Sequence, residues 1–126
     1  MKLSGILCLS IFIAGCNGGY TKPENAIDGP RIFIDPTYKG DFKKAKFFVV
    51  DNAANKTALD NEYANVFRMK NSFDKDDLRK DNIEIVKILS INENEVKVIY
   101  NNKYNKEIDT LTMVKEADFW KADLTK

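Results

Sequence analysis

At Asn82 the spacing of the apolar residues changes. Upstream, Leu59, Tyr63, Val66 and Phe67 recur every third or fourth position, the spacing of one helix face. Downstream, Val96, Val98 and Tyr100 alternate with Lys97 and Ile99, the spacing of a strand. Ile83, Ile85, Leu89 and Ile91 mark the first strand, around a run that reads as buried on both faces. Asn92-Glu93-Asn94 is a tight turn into the second, and Asn101 to Asn105 a longer polar loop into the third, about Lys106 to Lys115. Glu116-Ala117-Asp118 turns into a fourth, where Trp120, Ala122 and Leu124 face one way and Lys121 and Asp123 the other. Parallel pairing needs crossovers of about a dozen residues or more, so strands this closely joined form an antiparallel meander. Helices first and a meander afterwards make an α+β layer fold, N-terminal helices packed on a curved four-stranded antiparallel sheet.

The helical half is punctuated. Thr21 and Glu24 have capping-box spacing. From Asn25 to Lys39 a helical pattern is interrupted by Gly29-Pro30 and by Pro36, which predicts a kink, or a restart with Asp28 as the cap. Lys39-Gly40-Asp41 reads as a left-handed stop followed by a new N-cap. A second helix, Phe42 to Val50, sets Phe42, Ala45, Phe48 and Val49 on one side and Lys43, Lys44 and Lys46 on the other, where they face solvent or anionic lipid head groups. After Asp51-Asn52 a third helix runs from about Ala54 to Lys70. Asp74 to Lys80 is a short charged turn. Its acids resemble a calcium loop, but Arg79 and Ile85 stand where such a loop needs Gly and Glu. Capping by Asp74 accounts for them instead.

What the chain lacks narrows its chemistry. Among 126 residues there is no histidine and there are two cysteines, Cys8 and Cys16. With both cysteines assigned below to a leader and a lipid, neither a Ser-His-Asp nor a Cys-His arrangement is available, nor a Cys/His zinc site. No cofactor or metal is expected. The net charge of +1 falls to zero once Lys2 is removed, which gives no general electrostatic case for nucleic acid.

The beginning of the chain is an address. Lys2 is followed by an apolar run from Leu3 to Ala14 without a polar stripe. It is shorter than the roughly 20 residues that span a bilayer. Ile13-Ala14-Gly15-Cys16 matches the lipobox of bacterial lipoproteins at all four positions. That resemblance implies removal of residues 1–15 and a diacylglycerol thioether on Cys16. Residues 16–23 then form a short tether, roughly six extended residues of which reach about 20 Å, and residues 24–126 a single domain.

Tyr38-Lys39-Gly40-Asp41-Phe42-Lys43-Lys44-Ala45-Lys46, with Thr110-Leu111-Thr112-Met113-Val114-Lys115-Glu116 and Trp120-Lys121, resembles small Bacteroidota-type lipoproteins of a domain-of-unknown-function family. The similarity runs from about Glu24 to Leu124 and implies the cystatin-like cone shared with nuclear transport factor two and ketosteroid isomerase. The family's first helix lacks Pro30 and Pro36, and its last hairpin carries Gly at Asp118. The absence of acids between Asn17 and Lys22 favours a periplasm-facing envelope protein over a surface-displayed one, and Asp109-Thr110-Leu111 resembles that phylum's O-glycosylation sequon. The functional expectation is a membrane-anchored, non-catalytic binding domain for a small apolar ligand or an envelope protein. Tyr63, Phe67, Tyr100, Met113 and Trp120 are its candidate pocket lining, or simply core. One alternative is an isomerase- or hydratase-like enzyme using a carboxylate and a Tyr, Asp109 with Tyr100, although Asp109 is read beside an exposed face. Another is an inhibitor or immunity lipoprotein.

Overall fold

A computed structural model describes residues 20–126, and the leader, Cys16 and most of the tether lie outside them. The helices are α1 (Asp28–Tyr38), α2 (Phe42–Phe47), α3 (Ala53–Leu59), a π turn (Asp60–Ala64) continuing into α4 (Asn65–Met69), and α5 (Ser72–Lys80). The strands are β1 (Glu84–Asn92), β2 (Glu95–Asn102), β3 (Glu107–Glu116) and β4 (Phe119–Asp123), in the order β1-β2-β3-β4 with every pair antiparallel. The fold is α+β, helices first and a four-stranded meander after them.

The local signals decide most of these boundaries. Gly40 takes φ +78° between α1 and α2, and Asp41 caps α2 by accepting the Lys44 N–H at 3.1 Å. Asn52 caps α3 through the Asn55 N–H at 2.8 Å. The β3–β4 hairpin turns on Ala117 and Asp118, both at positive φ. Four expectations need correcting. Thr21–Glu24 forms no capping box, because that stretch is not helical; the Pro23 carbonyl accepts the Trp120 N–H at 3.0 Å. Asn25, not Asp28, serves the start of α1, its Oδ1 accepting from the N–H groups of Ile27 and Asp28. The stretch Asp74–Lys80 is not a turn but most of α5, capped by Asn71. Helix α2 stops at Phe47, after which Val49 pairs with Ala122 instead of continuing the helix.

The sheet's inner face carries Val96, Val98, Tyr100, Leu111, Met113, Trp120 and Ala122. These meet Phe33, Ile34 and Tyr38 of α1, Phe48, and Leu59, Tyr63 and Phe67 of the third helical run, in one core. Trp120 is 6 % exposed. Helix α1 lies so close to β3 and β4 that a Cβ on Gly29 would come within 2.8 Å of the Met113 methyl. Val66 and β1 depart from the sequence reading. Val66 is exposed at the helix surface, and Val86, Leu89 and Ile91 lie exposed along β1, an edge strand with register irregularities at Val86 and Ile91.

The helical layer is fastened to β4 by backbone. The Val50 N–H donates to the Ala122 carbonyl at 2.9 Å and the Ala122 N–H to the Phe48 carbonyl at 2.8 Å. Asn55, fully buried, adds a second tie: its Oδ1 accepts the Leu124 N–H at 2.6 Å and its Nδ2 reaches Asp123 Oδ1 at 3.3 Å. Asp123 is therefore buried, although it falls with Lys121 on the face opposite Trp120 and Ala122. Burial alone would raise its carboxyl. Hydrogen bonds from the Thr125 hydroxyl and amide and from Asn55, with the charge of Lys126, outweigh this and hold it below the ordinary carboxylate value.

Two substitutions test this framework by urea unfolding. Asn55→Ala strips donors and an acceptor from buried partners and should cost about 2–4 kcal/mol. Gly40→Ala forces an L side chain into the left-handed region and against the Phe67 ring, 2.8 Å from the new Cβ. It should cost about 1–3 kcal/mol.

Candidate functional site

The five pocket candidates from the sequence are brought together in the core. Tyr100 and Met113 are essentially inaccessible, and Tyr63, Phe67 and Trp120 are each 6 % exposed. The space between helices and sheet is filled by rings. Tyr104 packs edge-on against both Tyr38 and Tyr63 with centroids 5.6 Å apart, and Phe33 meets Tyr63 in the same way. Two of the hydroxyls have backbone partners: Tyr104 donates to the Thr37 carbonyl at 2.7 Å, and Tyr38 accepts the Lys103 N–H at 3.1 Å. Burial is the main cause that pushes all four phenols up, Tyr38 and Tyr63 to about 12 and Tyr100 and Tyr104 higher still. At neutral pH they are uncharged.

Tyr63 also reaches a pocket of about 310 Å³ at one end of this ring cluster, shared with Glu62, Val66, Asn102, Tyr104, Asn105 and Asp109. Here Asp109 needs correction: it stands on the sheet's inner side, opposite Tyr100, half-buried rather than beside an exposed face. Its parity with Leu111 and Met113 carries that information. The carboxylate accepts from Asn102 Nδ2 at 3.1 Å and from the Thr110 N–H at 2.7 Å, not from a tyrosine. The π turn sets Glu62 at the rim, where partial burial and the Asp109 charge raise its carboxyl. Thr110, the middle residue of the sequon-like triplet, is exposed.

A larger concavity, about 520 Å³, lies on the surface beside Tyr20. It is lined by Tyr20, Lys43, Lys46, Phe47, Val49, Asp51, Lys56 and Lys121. Phe47, Val49 and Tyr20 supply an apolar floor, and four lysines from α2, α3 and β4 supply the rim. Asp51 pairs with Lys56 at 2.8 Å, and Lys121 with Glu116 at 3.3 Å while lying over the Phe119 ring. The hydrogen bond and charge of Lys56, helped by Lys121 and Lys46, hold the Asp51 carboxyl below its ordinary value, so the lysine field converges on this groove. Among the described residues, no carboxylate lies within salt-bridge distance of Lys43 or Lys46. The sequence pointed to Lys43 and Lys46 on one helix. Lys56 and Lys121 join them only through tertiary packing, for which the sequence carries no local signal.

Among the described residues, no group of three metal-binding side chains converges, and no helix is long and apolar enough to cross a membrane. Comparison of the chain with protein families, with curated proteins and with solved structures finds no match.

The tyrosine cluster sets the alkaline limit of stability. An unfolded tyrosine ionises near pH 10, whereas in the fold all four titrate higher. Stability from this source is intact below about pH 10 and lost as pH rises past it, by up to about 1.4 kcal/mol per pH unit for each tyrosine. Urea unfolding between pH 9 and 11.5 should show this fall, and Tyr63→Phe should make it shallower by roughly one tyrosine's share. An unchanged slope in the variant would refute the assignment.

Proposed function

We propose that the protein is a lipid-anchored binding module of the bacterial cell envelope, facing the periplasm, held to the membrane through Cys16 and acting without catalysis. The observation that carries this reading is where open space lies. Among the described residues the interior is filled by packed side chains, while a concavity of about 520 Å³ opens beside Tyr20, four residues after Cys16. Catalysis in an isomerase-like manner needs a donor aimed at a developing oxyanion. Tyr104 spends its hydroxyl on the Thr37 carbonyl, and Asp109 accepts from Asn102 and the Thr110 amide rather than from a phenol. The raised Glu62 carboxyl beside Asp109 is the one feature that favours an acid–base enzyme. The inhibitor reading draws support from Met69 and Phe73, which stand more than 80 % exposed around the α4–α5 link. The resemblance to cone-fold lipoproteins agrees with the binding reading and names no ligand.

Replacing Cys16 by Ser tests the anchor. The wild-type protein should begin at residue 16, carry the added mass of a diacylglycerol, and float with membranes. The Cys16→Ser protein should keep residues 1–15 and lack the lipid mass. Identical intact masses apart from the substitution would overturn the lipoprotein reading.

A further inference from the structure

The groove beside Tyr20 combines two properties that point to one ligand chemistry. Its floor is apolar, from Tyr20, Phe47 and Val49, and its rim carries Lys43, Lys46, Lys56 and Lys121 against the single carboxylate of Asp51. Asp51 is already neutralised by Lys56 at 2.8 Å, leaving Lys43 and Lys46 for an external anion. A smaller groove on the other side of Tyr20 is also bordered by cations, Arg31 and Lys44, but includes Asp35, whose buried Oδ1 has no hydrogen-bond partner. An anion entering there would meet an uncompensated carboxylate. The larger groove is the one built for negative charge.

Its position selects the source of that charge. Three residues separate Tyr20 from Cys16, four steps of chain that span at most about 14 Å. Head groups occupy the outer 5–8 Å or so of each leaflet. The tether cannot carry the groove away from them, since the Pro23 carbonyl is bonded to the Trp120 N–H and Tyr20 packs on Phe47 at 5.2 Å. Anionic lipid attracts each nearby lysine by roughly fivefold in partitioning. We propose that this groove takes the phosphate-bearing head group of an anionic phospholipid from the bilayer to which Cys16 fastens the chain, its apolar floor meeting the first carbons of the glycerol ester. The proposal rests on the anchored reading given above.

The test uses the full lipidated protein in vesicles of phosphatidylcholine, with or without phosphatidylglycerol, and reads lysine acetylation by mass spectrometry. With phosphatidylglycerol, acetylation of Lys43, Lys46, Lys56 and Lys121 should slow about tenfold relative to phosphatidylcholine, while Lys80 and Lys87, outside the groove, should not change. Lys43→Glu with Lys46→Glu, both at exposed positions of α2, should abolish the protection of Lys56 and Lys121 while the protein still floats. Equal rates in the two vesicle types overturn the proposal. So does protection by soluble glycerol phosphate over phosphatidylcholine vesicles, which would make the ligand a free anion. Flotation with phosphatidylcholine reads the anchor separately. A protein that floats with unprotected lysines sinks the groove assignment alone; one that does not float sinks the anchored reading and the proposal with it.

Discussion

The bond pair between Ala122 and the Phe48–Val50 segment decides where everything else sits. A four-stranded meander has two open edges, and each offers unpaired backbone groups. On β4 the chain closes that edge with its own helical half, through the Val49–Ala122 bridge and, toward the other end of the strand, the Pro23 carbonyl on Trp120. This fixes the helix layer in register with the sheet, brings the Asn55 amide over Asp123 and Leu124, and sets Lys121 opposite the lysines of α2. The basic groove is a product of that closure. On the opposite edge, β1 has no such cover among the described residues; its irregular register and the exposed Lys87 blunt it in another way.

The change of apolar spacing at Asn82 was enough to read the layer order, the meander and the inward phase of Trp120. Signals confined to a few neighbouring residues also translated directly: Gly40, Asp41 and Asn52 each act where their chemistry says they should. The failures share a cause. Asp123 alternates with apolar neighbours as a solvent-facing residue would, yet a buried asparagine 68 positions away covers it. Thr21–Glu24 spells a capping box, but β4 claims the local carbonyl for a long-range bond. In α5 a single buried residue, Leu78, gives no periodicity to detect. Tertiary partners overrode local preference in the first two cases, and the third offered too little apolar pattern to show one.

The candidate site divides along the same line. A concave sheet under helices suggested a pocket, and its candidate lining, Tyr63, Phe67, Tyr100, Met113 and Trp120, is packed into the core. Bonding the Tyr104 and Tyr38 hydroxyls to backbone is a stable arrangement for buried polar groups, and the donors that Asp109 meets are Asn102 and the Thr110 amide rather than a phenol. Attention moves to a surface that sequence spacing could show only by half, the lysines of α2, and to a chain of net charge +1 whose positive charge is concentrated locally.

The closure at β4 also has a meaning in time. The groups that hold the helical half in place, Ala122, Asp123 and Leu124, belong to β4 and its exit, far downstream of the helices they fasten. Asn55 waits for partners 68 and 69 positions later, and a chain that emerges N-terminus first has none of them until β4 has been made. Until then the short helices α2 and α3 lack the packing that makes segments of this length persist. The helical half therefore stays pliable until β4 is available, and it locks when that strand pairs with it.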